Sequence, residues 1–340
     1  MNRKVVFFIV GGCAVLVLIV VGYLFSRPVE LGDCALSDLD PEARIAACTE
    51  VIEAASRRNT LASAHAGRAD AHARLGDRTQ AMADYTEALA HDPDNVGALT
   101  GRGMAHLLAG DNRQAIDDYT RALDLEPGQI MTHFNRGNAR AALGQFEAAI
   151  GDFSSAIDLD PGFAPAHFNR GNTYFQLGNY DRAVADYDLV LAQQPDDPDA
   201  LQNRGNAYSS LGQYQRAIDD FDRILEIDPD RALAYGNRGV AYHGLGQFQS
   251  AIQDYDRALA LNPAYAQGHS NRGAAFCQLG DAESAAASWI TLDERAGPGA
   301  RRDRQQFLAE QGYYDGPIDG AMTQAMRDAV QAYAAAACAG

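Results

Sequence analysis

A repeat of 34 residues is the feature that most constrains how this chain can fold. Within one unit, residues 199 to 229, apolar or small side chains fall at helical spacing in two runs, one with Leu201 and Tyr208 and the other with Ala217 and Phe221. A glycine between the runs ends the first helix, and a proline ends the second. Each unit is therefore predicted to be a helical hairpin that buries its core against its neighbours. The period is marked by Gly76, Gly110, Gly144, Gly178, Gly212, Gly246 and Gly280, and by Pro93, Pro127, Pro161, Pro195, Pro229 and Pro263.

This pattern resembles the tetratricopeptide repeat, a helix-turn-helix repeat of the same length. The resemblance implies an all-α, right-handed superhelical solenoid of seven repeats over residues 62 to 299. Residues 30 to 61 supply a half-repeat, which is the kind of atypical end unit that caps a solenoid. Gly205 and Ala217 are small because the two helices of a hairpin approach closely there. In this unit the resemblance rests on Gly205, Gly212, Tyr214, Ala217, Phe221 and Pro229.

Asparagines recur on one face of helix A, the first helix of a unit. In tetratricopeptide repeat proteins these positions face the concave groove, where asparagines bind the backbone of an extended peptide. The resemblance therefore implies a groove for a protein or peptide partner. The alternative is that the amides cap or cross-link neighbouring helices. The residues are Asn135, Asn169, Asn203, Asn237 and Asn271, joined three residues later by Asn138, Asn172 and Asn206.

Arginine also recurs once per unit in helix A, and an aspartate follows sixteen residues later in helix B, the second helix. This spacing predicts an ion pair within each hairpin rather than a clamp for a ligand. Histidines share another helix A position, but helix axes lie about 8 to 10 Å apart whereas zinc ligands lie at ~2 Å, so we predict aromatic packing and no metal or other cofactor. The ion-pair residues are Arg68, Arg102, Arg136, Arg170, Arg204 and Arg238 with Asp84, Asp118, Asp152, Asp186, Asp220 and Asp254, besides Arg272; the histidines are His65, His133, His167 and His269.

The N-terminal residues 1 to 29 are predicted to form a signal anchor. Arg3 and Lys4 precede a mostly apolar run from residue 5 to residue 25, and these 21 residues would span about 31 Å as a helix. No small-residue cleavage site follows, which favours an uncleaved anchor. The positive-inside rule then places the chain as a single-pass protein of a bacterial inner membrane, with residues 30 to 340 in the periplasm.

Four cysteines lie in the exported part, and an oxidising compartment favours disulfides. Cys34 and Cys48 are close in sequence and flank a predicted turn, so we expect them to pair. A bond between Cys277 and Cys338 then follows by elimination. The alternative is that all four are buried free thiols.

Residues 300 to 340 break the period. A helix, the segment G-Y-Y-D-G-P-I-D-G at residues 312 to 320 and a second helix resemble the peptidoglycan-binding domain type 1 family. The usual Gly-Pro after the loop is replaced by Thr323-Gln324, and the usual threonine by Met326. The resemblance implies glycan contacts, and the alternative is a helical cap for the last repeat. The implied glycan-binding residues are Tyr313, Tyr314, Asp315, Asp319 and Arg327.

Composition narrows the function further. The chain has 45 acidic and 28 basic residues, a net charge of −17, which disfavours nucleic acid as a partner. It carries no G-x-S-x-G, H-E-x-x-H or phosphate loop, so we predict no catalytic residues and no enzyme. The sequence predicts a membrane-anchored periplasmic scaffold that binds a protein or peptide; the alternative is a peptidoglycan-associated protein that recruits or regulates a cell-wall enzyme. The acidic charge further predicts polar or basic partners and salt-sensitive binding.

Overall fold

The computed structural model of the protein describes residues 31 to 339. Over that range the chain forms one short 3-10 helix, Gly32–Ala35, and seventeen α-helices without a strand. The predicted all-α helical repeat solenoid is confirmed, while the handedness of its superhelix stays a prediction. No helix within residues 31 to 339 combines the length and the apolar character needed to cross a membrane. The predicted anchor at residues 5 to 25 lies outside the described residues.

The chain divides into two compact units, with unit 1 ending at Leu159 and unit 2 beginning at Asp160. This division falls inside the predicted repeat array, and the predicted boundaries at residues 61 and 299 stay a prediction. The helices of unit 1 are α1 (Pro41–Ala54), α2 (Arg58–Arg74), α3 (Arg78–His91), α4 (Val96–Ala109), α5 (Asn112–Leu125), α6 (Ile130–Ala142) and α7 (Phe146–Leu159). Those of unit 2 are α8 (Ala164–Gln176), α9 (Tyr180–Gln193), α10 (Pro198–Ser210), α11 (Tyr214–Ile227), α12 (Ala232–Gly244), α13 (Phe248–Leu261), α14 (Ala266–Gln278), α15 (Ala282–Arg295), α16 (Pro298–Glu310) and α17 (Gln324–Ala337).

Two glycine positions build the hairpins, although Ala69 replaces the helix A glycine in the first of them. The glycine at the turn, such as Gly110 with φ of +83°, adopts the left-handed conformation that ends helix A. The glycine inside helix A lets an aromatic ring of helix B approach the backbone: a Cβ atom on Gly205 would lie 2.8 Å from Cε1 of Phe221. The predicted close approach at Gly205 is confirmed, and Phe221 fills the space.

The core is built one hairpin at a time. In unit 2 its largest cluster joins Tyr187, Leu201, Phe221 and Ile224, all almost fully buried. These side chains come from helices A and B of successive hairpins, so each junction buries its own apolar layer.

The last three helices close unit 2. Helix α17 packs against α15, and the side chains of Leu308, Met326 and Val330 are fully buried between the elements of this end. Residues 300 to 339 therefore cover the apolar face of the seventh hairpin, in agreement with the cap that the sequence left open as an alternative.

Candidate partner-binding groove

The asparagines of unit 2 lie where successive A helices meet. Helices α8, α10, α12 and α14 contact one another in this order along the unit. We call the surface that these four helices share the inner face and define it by Asn172, Asn203, Asn206, Asn237 and Asn271. Asn135 and Asn138 belong to unit 1, where the side chain of Asn135 is buried.

Two amide pairs cross-link neighbouring A helices. Asn203 Nδ2 donates to Asn172 Oδ1 at 2.9 Å, and Asn237 Nδ2 donates to Asn206 Oδ1 at 3.0 Å. Each of these bonds uses one N–H of one amide and the carbonyl oxygen of the other. Each pair thus keeps an N–H-bearing nitrogen and a carbonyl oxygen outside this bond. These four asparagines therefore cross-link neighbouring helices, as the alternative from the sequence proposed. The remaining amide atoms still allow recognition of a peptide backbone.

Two of the amides contact tyrosine hydroxyl groups of the B helices. Tyr187 donates its hydroxyl hydrogen to Asn172 Oδ1 at 2.7 Å. Burial raises the pKa of Tyr187 well above its usual value, so the hydroxyl keeps its proton. Asn271 Oδ1 accepts a hydrogen bond from Gln267 at 2.7 Å and lies beside the Tyr255 hydroxyl. Asn169 also takes part in an interaction. The amides are therefore held in fixed orientations.

Two cavities open on the inner face. One of about 310 Å³ is lined by Asn172, Phe175, Tyr187 and Asn203 among others, and one of about 110 Å³ by residues that include Asn271. Larger cavities of about 810 Å³ and 590 Å³ are lined by none of these asparagines; the first lies among α3, α4 and α5 and the second beside α15 and α16. The cavities of the inner face suit single side chains rather than a large ligand.

The predicted ion pairs form in six hairpins. Arg204, for example, binds Asp220 through Nε at 3.0 Å and Nη2 at 2.6 Å. In the seventh hairpin Ser288 takes the place of the aspartate and accepts from Arg272 Nε at 3.1 Å. The other five pairs are Arg68–Asp84, Arg102–Asp118, Arg136–Asp152, Arg170–Asp186 and Arg238–Asp254.

A second row of carboxylates was missed by the sequence analysis. Arg204 also pairs with Asp188 at 2.6 Å, and Asp222 and Asp256 bind the arginines of the following two hairpins. Each of these aspartates stands sixteen residues before its arginine, a periodic signal that was present in the sequence. The arginine therefore ties its own hairpin to the preceding one.

The histidines make polar contacts that the prediction of aromatic packing did not include, and among them His65 stacks on the ring of His91. His65 and His167 place Nδ1 at 3.0 and 3.1 Å from the aspartates of their hairpins. The Nε2 atoms of His133, His167 and His269 lie 3.0 to 3.1 Å from the carbonyl oxygen of the proline that precedes helix A. Residues 31 to 339 hold no group of three or more His, Cys, Asp or Glu side chains that could bind a metal ion.

Comparison with known families agrees with this geometry. Family models of the tetratricopeptide repeat match residues 66–130, 134–198, 171–235 and 232–265. The chain belongs to the tetratricopeptide repeat family. A search of curated proteins finds no match.

Solved structures show the same repeat fold. A tetratricopeptide repeat protein from Parabacteroides merdae aligns with a TM-score of 0.53 at 22% identity, over 74% of this chain and 93% of that one. The C-terminal part of a repeat protein from Cytophaga hutchinsonii gives 0.56 at 18% identity, over 66% and 92%. YrrB, described as a TPR protein with an unusual peptide-binding site, gives 0.51 at 24% identity, over 55% and 95%. At these identities the likeness concerns the fold alone.

Both predicted cysteine pairs are disulfides in the structure of this tetratricopeptide repeat protein. Cys34–Cys48 joins the 3-10 helix to α1 with a Cα–Cα distance of 4.7 Å. Cys277–Cys338 joins α14 to the end of α17 with a Cα–Cα distance of 4.6 Å. The alternative that all four cysteines are free thiols is therefore wrong.

The residues implied as glycan contacts mostly hold the C-terminal end together. Buried Tyr314 donates to the Pro317 carbonyl at 3.1 Å. Asp319 accepts from the backbone N–H of Ala321 at 2.8 Å, which lowers the pKa of its carboxyl group. Arg327 pairs with Glu294 at 2.9 Å, and the Tyr313 ring packs edge-on against Tyr333. Asp315 is exposed.

A buried glutamine explains why this loop folds as it does. Gln305 is fully buried, accepts from the Gly320 N–H at 2.7 Å and donates to the Ala321 carbonyl at 3.0 Å. Arg301 also donates to the Gly320 carbonyl at 2.6 Å. The loop pattern is thus explained by packing onto α16.

Proposed function

We propose that this tetratricopeptide repeat protein is a membrane-anchored periplasmic scaffold that binds a protein or peptide partner along the inner face of unit 2. The observation that carries the proposal is the pair of amide cross-links, Asn203 to Asn172 and Asn237 to Asn206. They fix the amides before any partner arrives.

The chemistry of the remaining amide atoms supports a backbone ligand. An N–H-bearing nitrogen and a carbonyl oxygen at each cross-link match the carbonyl oxygen and the N–H of an extended peptide. Because the amides are already ordered, binding costs little reorganisation of the receptor. Such contacts read the backbone, so side-chain selectivity must come from the cavities beside them.

Two features support the proposed location. The apolar run at residues 5 to 25 has the length of a membrane span and follows two positive charges. Two disulfides suit an oxidising compartment. Alkaline phosphatase, which is active only when exported, tests the topology when fused after residue 340. Activity is expected, and an inactive, stable fusion would place the repeats in the cytoplasm.

Site-specific photocrosslinking of the full chain in cells tests the groove. A photoreactive residue at Ser210, exposed and one helical turn beyond Asn206 on α10, is expected to capture a partner. The matched control is Gln253, exposed on the face of α13 opposite to Tyr255. An adduct at both positions, or at Gln253 alone, would contradict the proposal.

The alternative function, in which residues 300 to 340 bind peptidoglycan and recruit or regulate a wall enzyme, is supported by the sequence resemblance. In the loop Asp315 and Ile318 are exposed. Pelleting of the full chain with purified sacculi tests this role. Pelleting that Asp315→Ala together with Ile318→Ala abolishes would support it, and a chain that stays in the supernatant would remove it.

A further inference from the structure

We infer that the segment bound on the inner face of unit 2 is an uncharged, extended peptide with apolar side chains, and that its binding is nearly independent of salt. This inference rests on the proposed function and specifies the partner. It runs against the expectation from the net charge of −17, which favoured basic partners.

The positions that share a helical face with the asparagines carry almost no charge. On each A helix this face consists of four positions, spaced like Asp199, Asn203, Asn206 and Ser210 on α10. Over the four A helices of unit 2, Asp199 is the one acidic or basic residue among these sixteen positions. The Arg231 guanidinium neutralises it at 2.7 Å. The others are Pro165, Asn169, Asn172, Gln176, Leu233, Asn237, Val240, Gly244, Gln267, Asn271, Ala274 and Gln278.

Exposed apolar side chains stand between the amides. Leu233 and Val240 flank Asn237 on α12, and they are 55% and 38% exposed. Phe168 and Phe175 are half-buried at the edge of the same face on α8. His243, beside the smaller cavity, has its pKa lowered by burial and is neutral at pH 7. A peptide on this surface thus meets amide groups and hydrocarbon.

The helix A arginines of unit 2 bind carboxylates away from the inner face. Arg204 and Arg238 each bind two aspartates, one in their own hairpin and one in the preceding hairpin. Carboxylates outside these ion pairs, such as Asp219, which accepts a hydrogen bond from Gln215, are exposed on B helices, away from the inner face. Salt screens exposed charges beyond about 8 Å at physiological ionic strength, so these carboxylates attract a bound peptide only weakly.

Charge on the peptide would be selected against. A charged side chain that enters the groove loses water and meets one charged face position, Asp199, which already pairs with Arg231, whereas an apolar side chain loses nothing of that kind. The groove therefore discriminates by excluding ions rather than by pairing with them.

Selection of peptides by the full chain in nanodiscs tests the inference. A phage-displayed library of random dodecapeptides is selected at about 50 mM and about 500 mM NaCl. The same charge-poor, apolar sequences are expected at both salt concentrations, with Kd values that differ by less than about threefold. Asn203→Asp is expected to weaken binding of the selected peptide by at least about tenfold, because it places a carboxylate in the groove and removes the donor of the cross-link to Asn172. Gln253→Glu, which adds the same charge on the outer face of α13, is expected to leave the Kd unchanged.

Two further variants separate this inference from the proposed function. Asn203→Leu with Asn237→Leu removes the amides, and Ser210→Trp blocks the inner face without touching the cross-links. If both weaken a selected peptide that is basic and loses more than about tenfold in affinity at high salt, the groove binds peptides but the inference is wrong. If neither changes the affinity, the proposed groove is wrong as well.

Discussion

Asp293 occupies a core position, and its replacement by asparagine is expected to stabilise the C-terminal end of unit 2. The position holds leucine or isoleucine in the six preceding hairpins, from Leu89 to Leu259 at intervals of 34 residues. Asp293 is 5% exposed, and its nearest cation is Arg304 at 3.7 Å, which is beyond hydrogen-bonding distance. Its Oδ2 atom has no hydrogen-bond partner among the described residues.

The size of the effect follows from the carboxyl pKa. Burial raises the pKa of Asp293 from 3.8 to about 6, although Arg304 and Arg301 act in the opposite direction. A raised carboxyl pKa means that folding disfavours the ionised form, so stability is lost as the pH rises from about 3.8 to about 6. At about 1.4 kcal/mol for each pKa unit, ionised Asp293 lowers the free energy of unfolding by at most about 3 kcal/mol at pH 7.5. Because water at the cavity edge screens this charge, we expect a loss of about 1 to 3 kcal/mol.

The chain supplies its own probe for this measurement. Trp289 is the only tryptophan, and it packs in the same cluster as Leu308 and Met326. Urea unfolding of the oxidised full chain, followed by Trp289 fluorescence, is expected to show Asp293→Asn more stable than the wild type at about pH 7.5, with the gain falling below about 1 kcal/mol at about pH 4. Asp303→Asn, an exposed change on α16, is expected to stay within about 0.5 kcal/mol. A destabilised Asp293→Asn variant at pH 7.5, or a gain that does not shrink on acidification, would refute the reasoning.

Three further outcomes are expected from equilibrium unfolding of the full chain. Arg204→Met leaves Asp220 buried without its partner and is expected to lower the free energy of unfolding by about 3 kcal/mol. Arg223→Met, at an exposed pair, is expected to lower it by less than about 1 kcal/mol. Equal losses would contradict the structural role of the arginines. Gly205→Ala meets the Phe221 ring and is expected to cost about 1 to 3 kcal/mol, whereas Gly151→Ala, which meets nothing within 4 Å, gains up to about 1 kcal/mol. Loss of the Cys277–Cys338 disulfide, whose cysteines are 61 residues apart, is expected to lower the free energy of unfolding by about 4 kcal/mol. Loss of Cys34–Cys48, with a separation of 14 residues, is expected to lower it by about 3 kcal/mol. The reverse order would exclude loop closure as the main effect.

What could be predicted from the sequence are the contacts within one hairpin. Gly205 with Phe221 and Arg204 with Asp220 lie on two helices joined by a short turn, so their separation of sixteen residues fixes their distance once the hairpin is assumed. Any chain that repeats this spacing must repeat the contact. The 34-residue period alone was therefore sufficient to predict these contacts within a hairpin.

Contacts between hairpins were harder to predict. The bond from Asn203 to Asn172 crosses 31 residues, and the pair Arg204–Asp188 reaches back to the preceding helix B. Their distances depend on how one hairpin packs on the next, which spacing within a unit does not specify. The same reason explains why the histidines were assigned to packing: the bond from His167 to the Pro161 carbonyl depends on how the turn enters the helix.

The ion pairs also explain how an acidic chain keeps an uncharged groove. Each helix A of the array contributes one arginine that binds carboxylates of its own or the preceding hairpin, as Arg238 does with Asp254 and Asp222. In unit 2 the arginines stand one residue after Asn169, Asn203, Asn237 and Asn271, about 100° further around the helix, so they point away from the inner face. Net charge is a property of the whole surface, whereas the proposed groove consists of four positions on each helix A of unit 2. The inferred partner chemistry therefore rests on charge counted by helix position rather than on charge counted over the chain.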